Sequence, residues 1–326
     1  MYRRGTPTTT HGRTPTVIAD EGTDTIMAMP AREHLATDLA AIRPSVEAER
    51  PAGGAPKVVI QPSHGFVSLN LRDLWRYRDL LYILAWRDVK VRYKQTALGA
   101  GWAIIQPVFN MVIFTVIFGH LAHLPSDGVP YALFTLAALL PWTYFSYVLQ
   151  NSGESLVGNA NMITKVYFPR LVLPLSAGLA GLIDLAIAFL VFVALMLFYH
   201  VHPVAQIVFL PFFLLFAVTA ALAVGIWFSA LNVKYRDVRY TLPFLTQVLL
   251  YASPVAYSAG VVKGPLAFVY WLNPMAGVIE GFRWSLLGVG PTPGLNLLPS
   301  LLVTAALLIG GLIYFRRMEQ TFADRV

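Results

Sequence analysis

After Lys94 no Asp, Glu, Lys or Arg occurs until Asp127. A run of that length and apolarity has few folded homes. A hydrocarbon core of about 30 Å is crossed by roughly 20 apolar residues in a helix, and there every backbone polar group must be satisfied within the segment. The chain holds six such segments, at about 101–122, 131–150, 172–199, 204–230, 241–259 and 296–315. The third and fourth exceed the need, which predicts tilt or protrusion. None shows the alternating pattern of a membrane β-barrel. The expected fold class is an all-α polytopic membrane protein with six transmembrane helices.

Composition agrees. Only 13% of the 326 residues are charged, against about 25% in soluble domains. The net charge of +7 reads as an excess of Lys and Arg on one membrane side, not as a nucleic-acid footprint. With no cysteine there is no thiolate metal site and no disulfide framework. His200 and His202 supply two ligands, short of a closed site, so no metal is expected. Residues 1–57 are rich in Thr, Pro, Ala and charge and poor in large apolar side chains. They are expected to form a disordered cytoplasmic tail, whose basic start lacks the apolar stretch of a secretory signal.

Loop charges set the orientation. With the N-terminus cytoplasmic, Arg72, Arg76, Arg78, Arg87, Lys90, Arg92 and Lys94 precede the first span on the inside. Lys165 and Arg170 follow the second, Lys234, Arg236 and Arg239 the fourth, and Arg316, Arg317 and Arg325 the last. The outside segments hold Lys263 and Arg283. Positive charge stays on the cytoplasmic side, so both termini are expected there. The cluster at 87–94 then reads as the headgroup-side stop of the first span.

Residues 58–95 form the region ahead of that span. Within it, LRDLWRYRDLLYILAWRDVKVR (71–92) places Leu71, Leu74, Trp75, Leu81, Tyr82, Ala85, Trp86 and Val89 on one helical face. Arg72, Arg76, Asp79, Arg87, Lys90 and Lys94 fall mostly on the other, and Arg78 and Arg92 break the pattern. This is the signature of a helix lying in the membrane interface, either a plain anchor or a platform for a cytoplasmic partner. The loop GESLVGNANMITKVYFPR (153–170) is too long for a tight turn and contains a helix-like stretch; it reads as a solvated connector or a docking loop. The segment 261–290 is apolar but broken by Gly264, Pro265, Asn273 and Pro274. Two short helices dipping into the outer leaflet fit it, since irregular backbone cannot face lipid. Glu280 and Arg283, three apart, could pair there.

Chemistry-bearing motifs are sparse. Gly-Lys never occurs as a dipeptide, so the chain has no recognisable P-loop, and no acidic cluster is placed to hold a catalytic metal. Asp184 is the one acid well inside a hydrocarbon run. An intramembrane carboxylate is a functional candidate by default, and a helix–helix contact is the favoured alternative. Trp102, Phe109, Trp142, Tyr144, Phe145 and Tyr147 populate the first two spans, as packing, as interface belts, or as rings on which sugar faces could slide.

Five blocks carry a family resemblance: RDVKVRYKQTALGAGWAIIQP (87–107), ITKVYFPRLVLPL (163–175), LNVKYRDVRY (231–240), ASPVAY (252–257) and LNPMAGVIEGFRW (272–284). In this order they resemble the membrane subunit of type-2 ABC exporters for polysaccharides, the O-antigen or lipopolysaccharide permease branch. The resemblance runs from about residue 58 to the C-terminus and leaves out the tail. It implies a six-span permease of the bacterial inner membrane, not an enzyme, working as a homodimer with two copies of a separate P-loop ATPase. ATP and Mg belong to that partner; this chain binds no cofactor and no nucleic acid, only membrane lipids and its cargo. It makes 71–92 the interface helix and 264–290 a pair of periplasmic re-entrant gate helices carrying Asn273, Pro274, Glu280 and Arg283. Residues around 155–168 become a coupling helix in a cleft of the ATPase, with Asn159, Asn161, Met162, Ile163, Lys165 and Tyr167. The cargo it implies is a glycan on undecaprenyl pyrophosphate. Arg87, Lys90, Arg92 and Lys94 would then meet the pyrophosphate, Leu98, Gly99 and Gly101 would turn the chain into the first span, and the six aromatics would line the glycan path.

Within that family the cargo could equally be capsule, teichoic acid or a cell-wall galactan. Outside it, a membrane enzyme on a polyprenyl-linked sugar would need a paired acid or metal constellation near a membrane face. A secondary transporter would be expected to show more intramembrane acids and inverted repeats.

Overall fold

The computed structural model describes residues 71–94, 101–258, 260, 264, 266–319 and 322. The expected tail 1–57, the stretch 58–70, Leu98 and Gly99, and Lys263, Pro265 and Arg325 lie outside the described residues, as do the side chains of Leu71 and Arg72.

Every regular element among the described residues is helical. Leu71–Arg76 (α1) and Arg78–Lys94 (α2) are parted at Tyr77. Gly101–Phe114 (α3) runs on as a π-helix, Thr115–Leu121. Tyr131–Gly158 (α4) is followed by the short Ala160–Lys165 (α5) and then by Val172–Phe198 (α6). A 3-10 turn, Ala205–Phe209, leads into Leu210–Lys234 (α7). Val238–Ala252 (α8), Leu266–Trp271 (α9), Pro274–Leu287 (α10) and Leu297–Glu319 (α11) complete the order.

Five of these are long and apolar enough to cross a membrane: α3 with its π-helix, α4, α6, α7 with its 3-10 lead, and α11. The segment expected as a fifth span, 241–259, differs. Its helix is the 15-residue α8, about 22 Å long. Pro254 follows Ser253, which is extended at φ −102°, ψ 152°, because the residue before proline is pushed out of the helical region. Yet the stretch travels far. Arg239 Nε lies 3.4 Å from Glu154 Oε1, and the Tyr131 hydroxyl donates to Ala256 O at 2.5 Å. Those two partners stand near opposite ends of α4, about 34 Å of helix apart.

α4 is the hub. Of its apolar window 83% is buried, against 11% for α3, as befits a helix apolar all round. α7 packs closest to it: a Cβ on Gly225 would stand 2.9 Å from Ser152 Cβ, so only glycine permits the approach. Ser152 Oγ donates to Pro174 O at 2.9 Å and Asn232 Nδ2 to Gly153 O at 2.9 Å, tying α6 and α7 to the same turn. A second apolar cluster, with Leu84, Leu156, Ile163, Phe168, Phe315 and Phe322, closes the end where α4 finishes and α6 begins. Lys165, Arg170, Lys234 and Arg239 sit at that basic end.

α1 and α2 carry the segment read as an interface helix. The buried residues of α2 are Leu84, Ala85 and Val89, while Trp75, Tyr82 and Trp86 stay exposed at 70%, 66% and 44%. The apolar residues read as one face divide: aliphatic side chains pack on the bundle, aromatic ones point away. α2 runs beside α6. Leu84 shares the basic-end cluster with Val172, whereas Arg92 pairs with Asp184, about 18 Å further along α6.

Candidate functional site

A cavity of about 420 Å³ lies among α2, α3, α4 and α6. Of the six aromatics read as a path, Trp102, Trp142, Tyr144 and Tyr147 line it. Phe145 is instead buried, its ring centroid 5.5 Å from that of Trp142. Phe109 is 63% exposed and is not among the residues lining the cavity. The wall also carries side-chain amides from Gln106, Asn110, Gln150 and Asn151. Sequence reasoning passed over these, although Gln106 and Asn110 are four apart in an uncharged helix and so share a face. Rings with interleaved amides and hydroxyls suit a polyhydroxylated solute, stacking on its apolar faces and bonding its edges.

One wall of the cavity is an ionic junction. The Arg92 guanidinium pairs with one oxygen of Asp184, and the Tyr93 hydroxyl donates to the other. The same guanidinium lies 4.0 Å over the Tyr147 ring, a cation–π arrangement. Tyr147 is seated against Gly181, where a Cβ would be 2.6 Å from its Cδ1. Three helices thus meet at one charge pair. The other cations of the cluster are not gathered here. Arg87 bonds Asp88 at 2.8 Å, Lys90 stands 5.7 Å from the Trp86 ring, and Lys94 is exposed.

At the basic end, α5 buries Ile163 and half-buries Met162. Asn159 caps the end of α4 and donates to Ser155 O at 2.8 Å. Asn161, Lys165 and Tyr167 are exposed, Tyr167 to 89%. The following loop is fastened down: Arg170 N–H donates to Glu319 Oε1 at 3.2 Å, and its guanidinium to Glu319 O. α5 is thus anchored on one side and exposed on the other.

At the opposite end the segment expected to hold two short helices forms α9 and α10. Asn273 is the N-cap of α10, accepting from Met275 N–H at 3.0 Å, and Pro274 takes the first helical turn, where its missing N–H costs nothing. Asn273 Nδ2 also reaches Ser253 Oγ at 3.0 Å. Glu280 and Arg283 do not line the cavity; both are buried, 3.4 Å apart.

A family profile described as "ABC-2 type transporter" matches residues 79–287. The O-antigen export system permease protein RfbA of Klebsiella pneumoniae is 28% identical over 248 residues, 76% of this chain and 94% of that protein. The protein of that name from Myxococcus xanthus is 27% identical over 215 residues, 65% of this chain and 82% of its own length. The polysialic acid transport protein KpsM of Escherichia coli is 24% identical over 243 residues, 72% and 91% of the two chains.

Proposed function

The chain belongs to the ABC-2 type transporter family, and on that footing we propose that it is the transmembrane subunit of an ATP-driven polysaccharide exporter. Its cargo is a glycan on a polyprenyl pyrophosphate, O-antigen in the first place, moved across the bacterial inner membrane. The observation that carries this is the cavity among α2, α3, α4 and α6. It joins aromatic faces, side-chain amides and an arginine in one space, matching the sugar and phosphate chemistry of a lipid-linked glycan. Similarity to two proteins named O-antigen permeases, each covered over more than four-fifths of its length, supports the same cargo. The match to a protein named for polysialic acid transport favours a second reading, export of a capsule polymer.

The chain works as a homodimer with two copies of a separate P-loop ATPase, which binds the ATP and Mg. The exposed side of α5, with Asn161, Lys165 and Tyr167, receives that ATPase. The basic end faces the cytoplasm, following the positive-inside rule, which puts both termini there. The reach of α8 and its following turn along α4 supports counting them as a sixth crossing. α9 and α10 close the periplasmic mouth, and Arg92, with Arg87 and Lys90 nearer the cytoplasm and Lys94 just beyond it, meets the pyrophosphate.

Purification of the chain from its native membranes in mild detergent tests the proposal. A P-loop ATPase in equal amount is the expected result, together with loss of surface glycan when the chain is deleted. A stable chain purified alone, with surface glycan intact in the deletion strain, would overturn it.

A further inference from the structure

The path described above leads an anionic headgroup to a cation that already has a partner. Arg92 is paired with Asp184, and both border the cavity rather than being sealed, their side chains 39% and 25% exposed. A carboxylate and a phosphate offer the same acceptor geometry to a guanidinium fork. A half-exposed pair is also a weak one. It can exchange, whereas a sealed pair such as Glu280–Arg283 is costly to open. The remaining ligands of the junction are arranged unequally. Tyr147 stacks on the cation, but Tyr93 bonds the anion, so Asp184 has a partner left when Arg92 is taken.

We propose that Asp184 is the resident counter-ion of Arg92, displaced when the phosphate headgroup of the cargo lipid enters the cavity, and that this exchange releases the last turn of α2 from α6. The inference rests on reading the cavity as the cargo path. Its consequence is a threshold. A pyrophosphate carries enough charge to displace a carboxylate, and the single-charged phosphodiester of a bulk phospholipid does not. It also supplies a signal, because Leu84 of α2 packs in the same cluster as Ile163 of α5. Loosening α2 at one end disturbs the surface offered to the ATPase at the other.

The full transporter in phosphatidylglycerol nanodiscs is the sample. The chain has no native cysteine, so Val91→Cys and Leu190→Cys, at positions 54% and 68% exposed on the last turn of α2 and on α6, are its only sites for spin labels. Labelled chain is diluted with unlabelled chain to isolate pairs within one protomer. Saturating undecaprenyl pyrophosphate should shift the inter-label distance, while the phosphatidylglycerol disc alone leaves it at the empty value. A shift with inorganic pyrophosphate as well would show the headgroup acting without its lipid. No shift at saturation overturns the exchange, and this arm leaves the junction itself intact. In binding read by native mass spectrometry, Asp184→Asn should hold undecaprenyl pyrophosphate about fivefold more tightly, the worth of a half-exposed ion pair. Arg92→Gln should bind it more weakly than the unaltered chain. Unchanged affinity in Asp184→Asn beside weakened binding in Arg92→Gln sinks the counter-ion role and leaves the headgroup reading standing. Unchanged affinity in both sinks the headgroup reading too.

Discussion

Arg283 Nη2 donates to Val255 O at 2.8 Å, from a side chain with no exposed surface. Its other donors reach Tyr257 O at 2.9 Å and Phe134 O at 3.3 Å, and Glu280 lies 3.4 Å away. One guanidinium thereby ties the middle of α10 to the turn after α8 and to the first turn of α4. Removing it takes the cation from a buried carboxylate that keeps the Tyr270 hydroxyl as a donor, and breaking such a buried pair costs about 3–5 kcal/mol. Arg283→Leu should therefore lower the melting temperature in detergent sharply and reduce the amount recovered from membranes. Glu280→Gln added to it should restore part of the loss. A single variant that melts like the parent would show that the pair has no structural weight.

Gly181 sets the position of Tyr147, and through it of Arg92. A methyl group there would meet Tyr147 Cδ1 at 2.6 Å and Tyr144 Cε2 at 3.2 Å. Overpacking of this kind costs about 1–3 kcal/mol, and part of the strain is relieved by moving the ring out from under Arg92. Gly181→Ala is expected to insert at normal levels but to export at a small fraction of the parental rate. Normal export with normal insertion would separate the Tyr147 seat from transport.

The long apolar runs were legible because hydrocarbon imposes one length and one polarity on every crossing helix. The place where α8 stops was also written, in Pro254, but a smooth hydropathy run hid it. The segment 71–94 was legible as amphipathic, but a polarity pattern could not tell Ala85 and Val89, which pack on the bundle, from Trp86, which stays exposed. Arg92 and Asp184 lie 92 residues apart. Each was visible alone, one as a break in a polar face and one as an acid in lipid. No local rule pairs them; that took α2 rising along α6. The cavity amides were overlooked because a single Gln or Asn weighs little in an apolar average.

The division among the six path aromatics gives a direct test of the cavity. Trp102 and Trp142 border it, Phe109 does not and is 63% exposed. Loss of a stacking ring costs about 1–1.5 kcal/mol in a sugar or aromatic contact of this kind. Trp102→Ala should slow glycan export several-fold in cells at equal membrane levels. Phe109→Ala, two turns further along the same helix and outside the cavity lining, should change it less unless that stretch meets a second copy. Equal effects from the two would move the path away from this cavity.

Glu319 bonds Arg170 by both its side chain and its carbonyl, and its second oxygen takes Arg316 Nη1 at 2.9 Å. The loop leaving α5 is thus tied to the last turn of α11, and Tyr167 projects just ahead of the tie. Charge-assisted bonds of this sort contribute about 1.5–3 kcal/mol. Glu319→Ala leaves the apolar length of α11 intact, so the chain should still insert. What it loses is a fixed base for the loop, and a mobile docking surface binds less well because ordering it must be repaid on association. The ATPase recovered with the chain should fall several-fold. Tyr167→Ala should produce a comparable loss with an unchanged melting temperature, since a ring 89% exposed contributes little to packing. If both variants bring down the ATPase in equal amount to the parent, the partner surface lies elsewhere on the basic end, and the loop between α7 and α8 becomes the next segment to substitute.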